Sequence, residues 1–343
     1  MSGFLSYIGR RLFASIGVLI GVSILVFVIA RVIPGDPARI ALGPMASQES
    51  IKNLRAELYL DRPLPLQYLE FVRRLTKGDL GMSLYTRRPV TTDLEQFFPA
   101  TLELVLAGGF LMVVFGLPLG VISARYRNQL PDNVARVFAI FGVVTPNFVF
   151  AILLILIFAY WVAVLPVAGQ QGDAFLLPSR VTGFLLLDSI LAGQWAMFWD
   201  ALRHLILPAA ALAFAGLGQT ARLTRANMLD SYGKPYIEMA RAFGISEMQI
   251  ATKYALRPAL IPTLTILGLD FAAMLGGAFL VEAVFNYPGM ARYAVQAILH
   301  KDLNAIVGTT LVIAVFFLLI NILVDLIVGY VNPRIRFHEE ARG

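Results

Sequence analysis

Long apolar runs separated by short basic segments dominate this chain. The first, Leu12 to Ala30, is bounded by Arg10, Arg11 and Arg31; others follow at Leu102 to Ala124, Val137 to Val164, Leu205 to Ala221, Leu260 to Val284 and Ala305 to Val331. Each approaches or exceeds the ~20 residues that carry a helix across a hydrocarbon core ~30 Å thick. The pattern therefore predicts an all-α membrane protein with about six transmembrane helices, the third kinked at Pro146. The first run exceeds the ~7–15 residues of a signal-peptide core and ends at Arg31 without a small-residue cleavage site, so it reads as an uncleaved membrane helix.

The polar segments set the topology. Pro34-Gly35-Asp36-Pro37 is suited to a turn that leaves the membrane, with Asp36 as a cap and Pro37 in a new first turn. Residues 37–99 mix acids and bases, with helical periodicity after Ser50, and read as an extracytoplasmic insert after the first helix. Arg125, Arg127 and Arg136 crowd one short loop; Arg222, Arg225, Lys234, Arg241, Lys253 and Arg257 crowd the loop 222–258; Arg334 and Arg336 close the chain. Later loops on the other side hold only Arg180, Arg203, Arg292 and Lys301. Basic residues concentrate in short cytoplasmic loops, so both the N- and C-termini are expected in the cytoplasm. Between Leu165 and His204, Phe184 to Leu187 and Trp195 to Trp199 are too short to span and predict interfacial helices on the outer face. Residues 1–343 then form a single transmembrane domain.

Composition agrees: 58% of residues are hydrophobic and 15% charged, with mean hydropathy +0.73, beyond the apolar share of soluble domains. The net charge of +6 follows from the loop bias and forms no stripe interleaved with exposed aromatics, so nucleic acid is not a partner. Membrane lipid is. The absence of cysteine removes disulfides, thiol catalysis and thiolate-held metals.

Catalytic motifs are missing as well. Gly233-Lys234 is followed by Pro235 and lacks the earlier glycine of a phosphate-binding loop, so any ATP hydrolysis belongs to another subunit. Gly216-Leu217-Gly218 with Ala221 fits the loose dinucleotide pattern but lies inside an apolar run with no strand before it. His204, His300 and His338 have no metal-ligand spacing and read as interfacial, and neither Gly-x-Ser-x-Gly nor His-Glu-x-x-His occurs. No catalytic residue, cofactor or metal is expected. A stand-alone secondary transporter, the main rival class, calls for an inverted repeat or several ionisable residues at mid-membrane, and neither is visible.

The loop 222–258 stands apart. Tyr236-Ile237-Glu238-Met239-Ala240-Arg241-Ala242-Phe243-Gly244 suits a short helix with small residues and a closing glycine, a shape that docks into a groove on a partner. It resembles the EAA signature of bacterial ABC-importer permeases, with Glu238, Ala240 and Gly244 in register. Met239 stands at the second signature position, Tyr254 replaces an Ile, and Arg257 takes a Pro position, with prolines displaced to Pro258 and Pro262. These departures suit the dipeptide/oligopeptide/nickel branch. Ile33-Pro34-Gly35-Asp36-Pro37, Gly78-Asp79-Leu80-Gly81, Pro99-Ala100-Thr101-Leu102-Glu103-Leu104 and Val331-Asn332-Pro333-Arg334-Ile335-Arg336 resemble, in that order, its B-type permease.

The resemblance implies a type I ABC-importer permease fold in a bacterial inner membrane and a non-catalytic role. Half of a translocation path is shared with a second permease subunit, as a heterodimer. Cytosolic ABC ATPase subunits are driven through a coupling helix at Tyr236, Glu238, Met239, Ala240, Arg241, Ala242 and Gly244, and an external solute-binding protein supplies dipeptides or oligopeptides. Nickel, opine and glutathione importers are the alternatives within the family.

Acids inside spans are costly and mark sites. Asp270 lies well within the fifth run, where two readings stand: a substrate-path anion that attracts a cationic group, or a structural pair between helices. Related permeases more often resemble a Gln there. Glu282 and Asp325 lie nearer span ends and read as interfacial or paired. Gly17-x-x-x-Gly21 and Gly116-x-x-x-Gly120 permit close helix approach, within the bundle or against the second permease.

Overall fold

The computed structural model describes residues 2–32, 37–43, 45–57 and 59–331, and these are helical in the main. In chain order the helices are α1 (Ser2–Val32), α2 (Pro37–Leu42), α3 (Gln48–Glu57), α4 (Leu64–Thr76), α5 (Val90–Arg125), α6 (Leu130–Val144), α7 (Asn147–Leu154), α8 (Leu185–Leu191), α9 (Trp195–Tyr232), α10 (Pro235–Ala242), α11 (Glu247–Gln249), α12 (Leu256–Val284), α13 (Met290–Leu299) and α14 (Leu303–Val331). π-Helical turns continue α7 over Ile155–Trp161 and lead into α12 over Ile250–Ala255. Residues 33–36 and 332–336, which carry two of the resemblance motifs in whole or in part, and His338 lie outside the described residues.

Among the described residues four helical stretches are long and apolar enough to cross a membrane: Val90–Arg125, Trp195–Tyr232, Glu247–Val284 and Leu303–Gly329. A fifth arises if the bent pair Leu130–Val144 and Asn147–Trp161 is one span. The apolar segment Phe13–Ile29 of α1 falls short of that length.

Two local expectations change. The third apolar run is not merely kinked: α6 and α7 meet at 112°. Thr145, pushed out of the helical region by the following proline, has ψ 122°, and Pro146 has ψ 139°. Two successive extended residues redirect the chain where one would tilt it. Trp195 to Trp199 is no separate interfacial helix but the first turns of the 38-residue α9. Trp195 and Trp199 themselves stay exposed, as suits an aromatic belt.

The chain forms two compact units, one built on Phe98–Arg292 and the other on Gly9–Phe97 with Tyr293–Val315. In the first, α9 is the central helix, packed by α6, α7, α8 and α12. Glycines set the closeness. A Cβ on Gly218 would lie 2.5 Å from the Ala139 carbonyl oxygen, and one on Gly142 2.8 Å from that of Phe214, so α6 and α9 touch backbone to backbone. Gly116 and Gly120 of α5 lie against the side chains of Thr220 and Thr224 of α9; this Gly-x-x-x-Gly pair packs within the chain. Among the described residues nothing lies within 4 Å of a Cβ built on Gly17 or Gly21. Phe214 anchors the centre, stacked on Phe150 at 3.6 Å and met edge-on by Phe138.

In the second unit Ser23 and Phe27 of α1 hold Tyr68 of α4, by a 2.8 Å hydroxyl–hydroxyl bond and a T-shaped ring contact. The Gly78-Asp79-Leu80-Gly81 stretch is a turn with φ +75° at Gly78 and +82° at Gly81, values that glycine adopts without strain. Asp79 accepts from Arg74 Nε at 2.8 Å and from the Gly81 amide at 2.9 Å, and the Arg74 hydrogen bond holds its carboxyl below the usual range. Buried Asp302 caps α14 through the Ala305 amide and accepts from Ser83 Oγ at 2.6 Å and the Tyr85 amide at 3.1 Å.

Candidate functional site

α10 and its surroundings form the first candidate site. Pro235 occupies the first turn, where its missing N–H costs nothing. Glu238 lies near the positive N-terminal end of the helix and Arg241 in the last turn, both favourable to the helix dipole. The helix stops in a Schellman arrangement: Ile245 N donates to Ala240 O at 3.1 Å and Gly244 N to Arg241 O at 2.9 Å, with Gly244 at φ +72°.

Spacing then divides the helix into two faces. Ile237 and Ala240 are buried in a cluster with Ala124 at the end of α5, Met228 of α9, Ile250, Ala251 and Ala255 of the π-helical turn, and Ala259 of α12. Alanines dominate this cluster, so the backbones approach closely and α10 is seated on the ends of three long helices at once. On its other side Tyr236, Met239 and Phe243 are 41%, 61% and 78% exposed. A helix of eight residues that buries two side chains and, with its C-cap Phe243, holds out three large apolar ones has a finished inner face and an open outer one. Glu238 and Ala242 are also exposed. Arg241 reaches Glu247 with Nε to Oε1 at 2.8 Å; both side chains are about half exposed, so the pair adds little stability.

Next to this seat lies a tie that the sequence did not disclose. Asp132, at the start of α6 and fully buried, receives Arg225 of α9 through two bonds, Nε to Oδ1 at 2.7 Å and Nη2 to Oδ2 at 2.9 Å. Ser123 Oγ of α5 and the Asn128 amide donate to it at 2.6 and 2.8 Å, and Arg136 Nε of α6 lies 3.6 Å from Oδ1. Three helices are joined through one carboxylate. Arg225 was visible only as part of the loop's positive charge.

At the opposite ends of α5 and α12, Glu282 is fully buried and accepts from Thr101 Oγ1 at 2.6 Å and from the Arg292 amide at 2.8 Å, while Thr101 Oγ1 accepts from the Met290 amide at 2.7 Å. Glu282 is thus paired, and it caps α13. Glu103, two residues on from Thr101, accepts from the Leu186 amide and Gln170 Nε2. The Pro99–Leu104 motif fastens the connection between α7 and α9 to α5. Asp188 of α8 gathers the 181–183 turn, accepting from the Val181, Thr182 and Gly183 amides and from Thr182 Oγ1. Burial opposes its charge, but these bonds prevail and its carboxyl lies below the usual range.

Asp270 forms the second candidate site. It lines a cavity of about 240 Å³ with Asn147, Gln219, Gly216, Ala273 and Gly277 among the walls, between α7, α9 and α12. Its Oδ2 is shut off from solvent and has no hydrogen-bond partner among the described residues. The sequence-derived coupling residues and Asp270 fall into these two separate places. Among the described residues no three His, Asp or Glu side chains gather in a metal-binding group.

Residues 116–337 match the family described as the binding-protein-dependent transport system inner membrane component, and residues 4–105 match its N-terminal region. The chain belongs to this family. Over 97% of its length the permease is 42% identical to the probable D,D-dipeptide transport system permease protein of Escherichia coli K12, covering 98% of that relative. It is 38% identical, over 97% of its own length and 99% of the relative, to the dipeptide transport system permease protein of the same strain. A glutathione transport system permease protein of Escherichia coli O6:H1 is 35% identical over 97% of this chain and 99% of its own. The permease is thus an inner-membrane transport component, and the family's own description makes transport depend on a binding protein.

Proposed function

We propose that this permease forms half of the translocation path of an ATP-driven importer for dipeptides and short oligopeptides, and that α10 is the helix through which ATPase subunits drive it. The observation that carries the reading is the two-faced seating of α10. Its inner face is locked to α5, α9 and α12, and its outer face presents Tyr236, Met239 and Phe243 to a groove on another protein. A force on that face reaches three long helices without a flexible joint between. The peptide substrate is supported by the two dipeptide permease relatives; the glutathione permease relative supports a second reading, a γ-linked tripeptide of similar size.

In this scheme six spans place both termini, the 222–258 loop and the Arg125–Arg136 loop in the cytoplasm, and the 37–99 insert meets the external binding protein. A second, different permease subunit completes the path. ATP binding draws the coupling helices together and rocks the two subunits about the substrate. Asp270, on the wall of its cavity, lies on the path.

The test is purification of this chain from its own membrane in mild detergent, with mass spectrometry of what accompanies it, followed by peptide uptake in proteoliposomes. A second permease, ATPases carrying phosphate-binding loops and ATP-dependent uptake are expected. Recovery of this chain alone, from a solubilisation that preserves other complexes, would replace the importer with a self-sufficient transporter.

A further inference from the structure

The cavity between α7, α9 and α12 is unbalanced in charge. Its described walls hold one carboxylate, that of Asp270, and no Lys or Arg. Asp270 sits near the middle of the 29-residue α12, at a depth where an ionisable side chain is expensive unless something compensates it. Its Oδ2 faces no protein donor among the described residues, although buried carboxylate oxygens are ordinarily satisfied. Asn147 and Gln219 add neutral amides to the same wall. Gln219 Oε1 is already taken by Arg222 Nη2 at 2.5 Å, which leaves its NH₂ as a donor for a neighbouring carbonyl.

We infer that this cavity receives the protonated amine of the transported solute, with Asp270 as its counter-ion and the amides of Asn147 and Gln219 beside the adjoining carbonyl. At about 240 Å³ it falls below the ~300–1,000 Å³ of pockets that enclose a drug-sized ligand. It holds one end of a peptide and not a whole oligopeptide, which suits a path that accepts varied side chains and reads the amino terminus they share. The assignment rests on the importer reading and adds the chemistry the path selects: a free ammonium group.

Two measurements on the assembled complex test it. The chain contains no cysteine, so Ala273→Cys, at an exposed position on the cavity wall, supplies a single thiol. Mass spectrometry of this chain then follows its reaction with a trimethylammonium thiosulfonate and with a sulfonate-bearing one. After correction for intrinsic reactivity the cationic reagent should react roughly tenfold faster, and saturating Ala-Ala should protect. Equal rates, or no reaction with either reagent, overturns the inference. In proteoliposomes, Asp270→Asn should lower ATP-driven Ala-Ala uptake at least about tenfold with ATPase stimulation by the binding protein retained, and Asp270→Glu should recover much of it. ATP-driven wild-type uptake with an unchanged Asp270→Asn variant removes this assignment alone. Wild-type uptake indifferent to ATP removes the importer reading and this assignment with it.

Discussion

Arg225 of α9 grips Asp132 of α6 at two points, 2.7 and 2.9 Å, while the carboxylate is fully buried and the guanidinium side chain is 19% exposed. The two partners are therefore not equivalent. Removing Arg225 leaves a buried carboxylate with only Arg136, 3.6 Å from Oδ1, as a charged partner, whereas neutralising Asp132 leaves guanidinium groups with some access to solvent. Breaking a buried pair from the carboxylate side costs about 3–5 kcal/mol, and Arg136 brings the loss toward the lower end.

Arg225→Met should therefore lower the midpoint of thermal unfolding in detergent well below that of the wild type, and Asp132→Asn should lower it less. Fluorescence-detected size-exclusion after heating measures both. Equal losses would mean that the pair is solvated in the membrane-bound protein.

The helices were legible in the sequence because apolar runs of spanning length admit few other structures in lipid, yet their ends were not. α5 begins at Val90 and not near Leu102, and α9 runs from Trp195 to Tyr232, since polar turns extend a helix past its apolar stretch without changing the pattern. The break at Pro146 was flagged by its proline, but the 112° angle depends on Thr145 being extended as well. Of the candidate sites, α10 could be read because a proline start and a glycine stop are local signals. The Asp132–Arg225 tie could not, because 93 residues separate its partners and neither has a local signature.

Thr101 offers a narrower test. Its hydroxyl donates to Glu282 at 2.6 Å and accepts from the Met290 amide at 2.7 Å, so Thr101→Val keeps the shape and removes both bonds. The cost should be about 1–3 kcal/mol, the range for a buried polar group left unsatisfied, and Thr101→Ser should remain near wild type. Thermal unfolding of the three proteins side by side decides it; a stable Thr101→Val would show that water replaces the hydroxyl.

Asp188 predicts a pH dependence in the connection between α7 and α9. Its folded carboxyl titrates below the usual value, so its contribution is full above the unfolded value of about 3.9 and is lost as pH falls through the lower folded one. Asp188→Asn should be less stable than the wild type at pH 7, and the gap should close only below about pH 4. Unfolding midpoints taken from pH 7 to 3 follow the gap. A gap that closed between pH 7 and 5 would assign the effect to some other group.

Gly244 separates folding from coupling. Among the described residues no atom lies within 4 Å of a Cβ built there, but its φ of +72° is unfavourable for any residue with one. For a β-branched residue the left-handed conformation costs about 1–2 kcal/mol, too little to unfold a protein held by the α5–α9–α12 packing yet enough to loosen the last turn of α10. Gly244→Val should insert at normal abundance and hydrolyse ATP in the assembled complex while transporting poorly. Glu238→Lys, which changes only an exposed charge on the same helix, should do likewise through the partner surface and without disturbing the helix end. Uptake and ATPase activity measured on the same proteoliposomes give the ratio that matters. If both variants transport at the wild-type rate with equal abundance, α10 is not where force enters, and the two-faced seating of Ile237 and Ala240 against Tyr236, Met239 and Phe243 has a purely structural origin.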